Sequence, residues 1–499
     1  MSHRSAPVAA LAATLTAALL LLSACASSPS RGALTVAHSP AQTAAGNPPT
    51  TAAANLAFRN SVDHAPAGWN GPRFRLSTDY PTQYPGDCPP DVCTWLGLDV
   101  NFAADLTAQP PTWEDPIWNQ YMQSVLDYVK EGQDPQLADA TGFHTEVNGA
   151  TRWFHVPWMA YDPTAGREFV HGTTNERTAH LSDLLGAPDG FGVHKLPNMT
   201  AECEAQYPHG FETWAVGMYN EWGGWSLGQI WGASGEPHIG EYLGTAMPAG
   251  LPFPEGTVVA KLLFTSAPVE CAPYLQGAPE WQVNRHSVDP ESKQYLCDRD
   301  VQTVRLVQMD IAVVDAGTDD NPRSPTRWVY GTFAYDGFID AADVWGHLVP
   351  VGIQWGSDPW TFPAVPQADS LPARQSVLNQ DIGIYEHNGC QGRLAGPVDN
   401  SKSSCISCHA SAFAAPNGAP SIMGINAPPS FGFTGICDNF SQDNVSYFQN
   451  MVAPQSYHGG EYPNNLNLDT SLQLWVAFDQ YGLFNTNGAP EQCTGPDQF

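Results

Sequence analysis

Apolar and polar residues alternate most clearly in the middle of the chain. Val304 to Val314 (VRLVQMDIAVV) and Trp328 to Tyr335 (WVYGTFAY) follow the two-residue period of strands whose two faces meet different surroundings. Shorter apolar runs at Arg152–Val156, Trp214–Tyr219, Trp225–Trp231, Thr257–Thr265 and Val351–Trp355 are broken by Gly, Pro, Asn and Asp. Short strands separated by turn residues predict an antiparallel sheet of the sandwich or jelly-roll kind. Asp315 to Arg327, between the two clearest strands, reads as a turn-rich connection. Its Asp315, Asp319, Asp320 and Asn321 supply the oxygen ligands calcium takes, but not at EF-hand spacing, so an ordinary Asp/Asn loop is the simpler reading.

Helical spacing is rarer. Pro116 to Lys130 places Trp118, Met122, Val125, Leu126 and Val129 on one face and predicts a core-packed helix. Ser376 to Tyr385 is a second candidate. Leu472 to Tyr481 (LQLWVAFDQY) is a third, opening after Asp469-Thr-Ser, residues suited to capping.

The N-terminus changes the setting. Met1-Ser-His-Arg4 precedes an apolar run from Val8 to Leu22, and small residues follow, as in a secretory signal peptide over residues 1–24. Leu22-Ser-Ala-Cys25 resembles the lipoprotein box of bacteria, which implies lipidation of Cys25. Ala26 in the next position, rather than Asp, implies an outer-membrane anchor facing the periplasm or the cell surface. Residues 25–57 are poor in aromatics and rich in Ala, Thr, Pro and Ser, and are expected to act as a flexible tether.

Cys405-Ile-Ser-Cys-His409 is the most specific chemical signal. C-x-x-C-H is the attachment signature of c-type haem. Two thiols add across the vinyl groups and the adjacent imidazole becomes the proximal iron ligand. The motif occurs once, so one covalent haem is expected. Of 11 cysteines, setting aside Cys25, Cys405 and Cys408 leaves eight. An even number in an exported chain predicts disulfides. Local pairing favours Cys88–Cys93 and Cys271–Cys297, with Cys437 and Cys493 stapling the C-terminal tail. The expected architecture is mainly β with some α. A disulfide-containing β-rich domain over 58–369 is followed by a small, mostly helical or loop haem domain over 370–499.

A net charge of −30 argues against nucleic acid, whose phosphates need a basic face. An acidic surface suits a redox partner with a basic docking face, and equally suits plain solubility. The chain has no Gly-rich phosphate loop, no G-x-S-x-G elbow and no H-E-x-x-H. His144, His155, His171 and His180 lie near Arg152, Arg167 and Arg177, without metal-ligand spacing. Structural or surface roles are the simpler reading for these histidines.

The group opposite His409 decides what the haem does. The order C-x-x-C-H, then Met451 in FQNMVAP, then a closing helix resembles the small class I cytochromes c over residues 376 to 499. That resemblance implies electron transfer with Met451 as distal ligand, although Pro does not directly flank it. Met423 and His458 are the alternatives. A second resemblance runs through Trp214–Asn220, Phe253–Lys261 (FPEGTVVAK), Val307–Val314 and Trp328–Phe333 ahead of the haem motif. It is to the β-sandwich cytochromes that oxidise hydroxylamine and the related cytochromes c′-beta. That family implies haem against a sheet, an open distal side binding hydroxylamine- or nitric-oxide-like molecules, and, in its oxidising members, a lysine cross-linked to the porphyrin, for which Lys261 is the nearest candidate. About 90 residues follow the motif here, where that family ends sooner. Three functions stay open: an electron carrier, a haem redox enzyme or small-ligand binder, and an envelope binding protein with an auxiliary haem.

Overall fold

The computed structural model describes residues 65–73, 76–102, 111–159, 161–162, 166–167, 174–179, 184, 199–231, 237, 253–288, 295–320, 327–356, 376–382, 393–399, 404–405, 409, 412–414, 456–457, 460–461 and 466–487. The expected signal peptide, Cys25 and the tether lie outside these residues. All of the described residues fall within one compact unit, Pro49–Phe499.

The protein is mostly antiparallel β. Eight strands form one large sheet: β1 Thr174–Ala179, β2 Phe211–Tyr219, β3 Val258–Thr265, β4 Glu280–Val288, β5 Tyr295–Val314, β6 Trp328–Tyr335, β7 Leu348–Gln354 and β8 Ser376–Leu378. Their spatial order is β8-β7-β6-β5-β3-β2-β1, with β4 pairing the first half of the 20-residue β5. Among the described residues, four α-helices accompany the sheet: α1 Pro116–Lys130, α2 Met199–Gln206, α3 Glu221–Ile230 and α4 Leu472–Asn487. The strands expected at Trp214–Tyr219, Thr257–Thr265, Trp328–Tyr335 and Val351–Trp355 are present within a few residues of those bounds, and Val304–Val314 is the second half of the longer β5. Arg152–Val156 contributes only one bridge, Phe154 to Tyr219.

Two expectations are corrected. Trp225–Trp231 belongs not to a strand but to α3, which Asn220 starts by accepting from the Gly223 amide at 3.3 Å. Ser376–Leu378 is an edge strand rather than the start of a helix, because it completes the β7 ladder at Gly352, Ile353 and Gln354.

Helix α1 forms where its spacing predicts. Asp115 accepts from the Ile117 amide at 3.0 Å, Pro116 occupies the first turn, and Trp118, Met122, Val125, Leu126 and Val129 are buried. The helix covers one face of the sheet so closely that a Cβ at Gly331 would meet Met122 Sδ at 2.5 Å. Trp118 stacks on Trp355 with ring centroids 4.9 Å apart. Cys88 and Cys93 form the expected disulfide. Cys271 pairs with Cys203, not Cys297, because the turn after β3 lies against α2. Cys297 lies instead on the first half of β5, in the stretch that pairs β4.

The opposite face carries a second apolar cluster. Tyr219, Val259, Val314, Trp328 and Tyr330 from the sheet pack there with Leu474, Ala477 and Phe478 of α4. Ser471 caps α4 by accepting from the Leu474 amide at 3.2 Å. Strand β8 and helix α4, both from the 370–499 segment, are therefore built into the sheet and its cover.

Candidate functional site

Cys405 and His409 lie on this second face. Cys405 packs at the junction of the two apolar clusters and takes no part in either disulfide. Its amide donates to the Leu394 carbonyl at 3.2 Å, which closes the loop 394–405. The His409 ring stands over Tyr330 of β6 with centroids 4.8 Å apart. His409 Nδ1 lies 2.7 Å from the Thr470 carbonyl oxygen. A carbonyl can only accept, so Nδ1 carries the proton and Nε2 is the basic nitrogen of the neutral ring. Metal-binding histidines have this arrangement: the second nitrogen donates to a backbone carbonyl and thereby sets tautomer and ring angle.

The turn Asp469-Thr470-Ser471 that supplies the carbonyl ties four parts of the molecule together. Asp469 accepts from the Phe253 amide at 2.9 Å. Thr470 Oγ1 accepts from the Tyr330 hydroxyl at 2.5 Å, and Ser471 Oγ lies 2.6 Å from the Tyr219 hydroxyl. Asp469 and Thr470 adopt φ of 50° and 64°, the left-handed region. For a β-branched Thr this is costly and persists only when the surroundings over-determine it. The turn is almost fully buried, so its polar groups need these partners. Loss of solvent pushes the Tyr219 and Tyr330 hydroxyl pKa values well above that of free tyrosine, and both stay protonated donors.

Register places a polar row beside His409. Gly217, Lys261, Asp310, Thr332 and Gly352 pair directly across β2, β3, β5, β6 and β7. Directly paired residues share a face, and this row is next to the row of Tyr219, Val259, Ala312, Tyr330 and Gln354. Central strands should be the most covered part of a sheet. Lys261, Asp310 and Ala312 nevertheless keep accessible surface, as do Cys405 and His409.

The Asp310 carboxylate is held tightly. Its Oδ1 accepts from Gln308 Nε2 at 2.6 Å and from the Thr332 hydroxyl at 2.8 Å. The same Gln308 amide donates to Asp399 Oδ2 at 3.2 Å, and the Gly396 amide donates to that oxygen at 2.9 Å. Gln308 Oε1 in turn accepts from the Val398 amide at 3.1 Å. A Cβ at Gly396 would overlap the Gln308 amide, so the loop lies directly on the sheet. Removal from bulk water pushes the Asp310 pKa up to about 7; the Asp399 charge adds to this, while Lys261, Thr332 and Gln308 oppose it.

The remaining candidates separate. His155 is buried at the edge of β2, with Nδ1 3.3 Å from the Gly217 carbonyl. Burial lowers its pKa to about 4, and its Nε2 has no hydrogen-bond partner among the described residues. His144 bridges Asp139 at 2.7 Å and the Gly132 carbonyl at 3.0 Å, a structural tie. Arg152 pairs with Glu131 at 2.5 Å and lies over the Tyr128 ring. Asp315 gives its two oxygens to the Gly317 amide and the Tyr121 hydroxyl. Asn321, Cys408, Met423, Met451, His458, His171 and His180 lie outside the described residues. Among the described residues, no group of three or more His, Cys, Asp or Glu is placed to hold a metal ion, and no helix is long and apolar enough to cross a membrane. Sequence reasoning found Lys261 only through a resemblance and missed Asp310, Asp399, Gln308 and Thr470. The signal for the first was present: Gln308 and Asp310 fall on one face of an otherwise apolar alternating strand.

No protein-family model matches the chain, and no curated protein or solved structure matches it either.

Proposed function

We propose that the chain is an exported c-type haem protein of the cell envelope, lipidated at Cys25, whose 370–499 segment carries the haem. The observation that carries this reading is the donation of His409 Nδ1–H to the Thr470 carbonyl at 2.7 Å, which aims Nε2 as a ligand. Cys405 and Cys408 would form the two thioethers, and His409 would be the proximal ligand. When bound, the haem supplies one-electron chemistry and, where its far side is open, a site for a small ligand. The residues around it do the rest. Thr470 orients the imidazole, Tyr330 packs against it, and α4 excludes water from that side. Met451 is the proposed distal ligand of an electron carrier, with Met423 and His458 as alternatives. The acidic surface would meet a basic redox partner.

One observation favours a second reading, a haem redox enzyme or binder of hydroxylamine- or nitric-oxide-like molecules. Lys261 and Asp310 pair directly across β3 and β5 on the sheet face that carries His409. A dry electron carrier has no use for such charged side chains, which are costly to bury.

The test is to produce the full chain in a host competent for c-haem maturation and record the pyridine haemochrome. One covalent haem per chain, lost in Cys405→Ala and Cys408→Ala, is expected. A chain that leaves maturation without covalent haem overturns the proposal. Spectra with and without carbon monoxide then separate the two readings. A low-spin, unresponsive centre that opens in Met451→Ala makes it a carrier, and a centre that responds in the wild type makes it a ligand binder.

A further inference from the structure

Where β6 ends and β7 begins, one end of the large sheet carries a cleft of about 360 Å³, within the range of small-molecule sites. Its walls are the end of β6, the connection 336–347 to β7, the turn that follows β3 and the turn that follows α1. Hydrogen bonds between these segments form the cleft in advance of any ligand. The Gly337 amide donates to the Tyr274 carbonyl at 2.8 Å, and Gln276 Nε2 donates to the Gly337 carbonyl at 3.0 Å. The Val344 amide donates to the Pro135 carbonyl at 2.9 Å, and Trp345 Nε1 donates to the Asp134 carbonyl at 3.0 Å. A Cβ at Gly337 would overlap the Gln276 carbonyl oxygen, so these two walls already touch.

The lining is neutral in a chain of net charge −30. None of its side chains bears a carboxylate, an ammonium or a guanidinium group. An ionic ligand would give up hydration there with no counter-charge in return. The walls instead offer groups that donate and accept at once. Gln136 and Gln276 supply carboxamides. His347 Nδ1 donates to the Asp336 carbonyl at 2.8 Å, which leaves Nε2 as an acceptor. The Tyr335 and His347 rings lie side by side with centroids 5.2 Å apart, and Val344 adds aliphatic surface. Phe338, which follows Gly337, keeps 40% of its surface exposed. Sugar hydroxyls also donate and accept, and the C–H face of a pyranose packs against aromatic rings.

We infer that this cleft binds an uncharged sugar ring, either a free sugar or the end of a glycan. The site stands apart from the haem reading. Tyr335 packs into the cluster on the α1 face, whereas Tyr330 carries His409 on the opposite face. The carboxamides and His347 fix the hydroxyls, and the aromatic wall takes the ring.

The experiment uses the full chain. Saturation-transfer NMR is recorded with glucose, galactose, mannose and N-acetylglucosamine, with maltotriose and chitotriose, and with the charged sugars glucuronate and glucosamine. Transfer to at least one neutral sugar is expected, and less to either charged one. Gln136→Ala, at an exposed position, weakens binding about three- to tenfold, as the loss of one neutral hydrogen bond does. His347→Ala weakens it at least as much. A trimer that binds more tightly than its monomer identifies the end of a glycan as the occupant, and equal affinity identifies a free sugar. Transfer to no neutral sugar overturns the inference. So does a preference for glucuronate or glucosamine, or an affinity unchanged in both variants. If His347→Ala does not fold, Gln136→Ala decides the matter. Binding that is lost in a folded Cys405→Ala chain would place the sugar on the haem face and overturn the assignment to this cleft.

Discussion

The large sheet has two faces made by the same strands, and they obey different rules. On the α1 face, Val329, Gly331 and Phe333 of β6 meet Met122 and the aromatic layer of Trp118 and Trp355, and space is filled to the limit that Gly331 permits. On the α4 face, Tyr330 and Thr332 of the same strand meet His409 and Asp310, and the middle of the sheet carries the charged side chains of Lys261 and Asp310. Alternation along one strand thus delivers a packing surface and a chemical surface at once. The first supplies stability that the second spends. Dense apolar packing stabilises in proportion to buried area, whereas a buried charged row destabilises unless it is paired.

The contrast can be tested hardest on the packed face. Phe333→Ala should cost about 3–5 kcal/mol, as for other buried aromatics, while leaving haem content per folded chain unchanged. Opening Cys203–Cys271, which closes a 68-residue separation, should cost about 4 kcal/mol on loop entropy. Denaturant unfolding measures both, and a loss below about 1 kcal/mol in either would dissolve the claim that this face holds the fold.

The next effects depend on pH. His155 has its folded pKa lowered to about 4, below the unfolded value, so its contribution is full above the unfolded value and is lost as pH falls through 4. About 3 kcal/mol should disappear over that interval, and His155→Gln should flatten the acid limb of the stability profile. Asp310 runs the other way. Its folded pKa is raised to about 7, so its contribution is present below the unfolded carboxylate pKa and lost as pH rises through 7. Asp310→Asn should therefore gain up to about 4 kcal/mol at pH 8 and nothing at pH 4. A variant less stable than wild type at both pH values would show that the row is structural. The smallest expected effect is Tyr330→Phe, which removes the hydrogen bond to Thr470 for about 1 kcal/mol. Its informative readout is a changed ligand field at His409.

The sequence was readable where a pattern is local. The 3.6-residue period of α1 and the alternation of β5 and β6 each required only neighbours, and the Asp469-Thr-Ser cap sat directly ahead of its helix. Helix α3 was misread because Glu-Trp-Gly-Gly-Trp carries apolar residues around its whole circumference and two poor helix formers. Only the Asn220 cap marked it. The Cys203–Cys271 pair was missed because proximity in sequence favoured Cys297, while proximity in space is set by α2 meeting the turn after β3. The site was half readable. Cys405, Cys408 and His409 announce themselves as a motif. The Thr470 carbonyl has no side-chain signature, and the Lys261–Asp310–Thr332 row exists only once β3, β5 and β6 are in register.

The distance along the chain between His409 and the carbonyl that aims it is 61 positions. During synthesis that gap amounts to roughly 3–12 seconds. Both thiols and the imidazole are complete as a chemical unit throughout this interval, yet the imidazole has no fixed direction until the Asp469–Ser471 turn arrives and α4 docks. On the proposed reading, completion of the attachment motif and orientation of its imidazole are thus separate events in the life of the chain. A chain truncated just before Asp469 would still carry the whole motif, with nothing left to fix the direction of its imidazole.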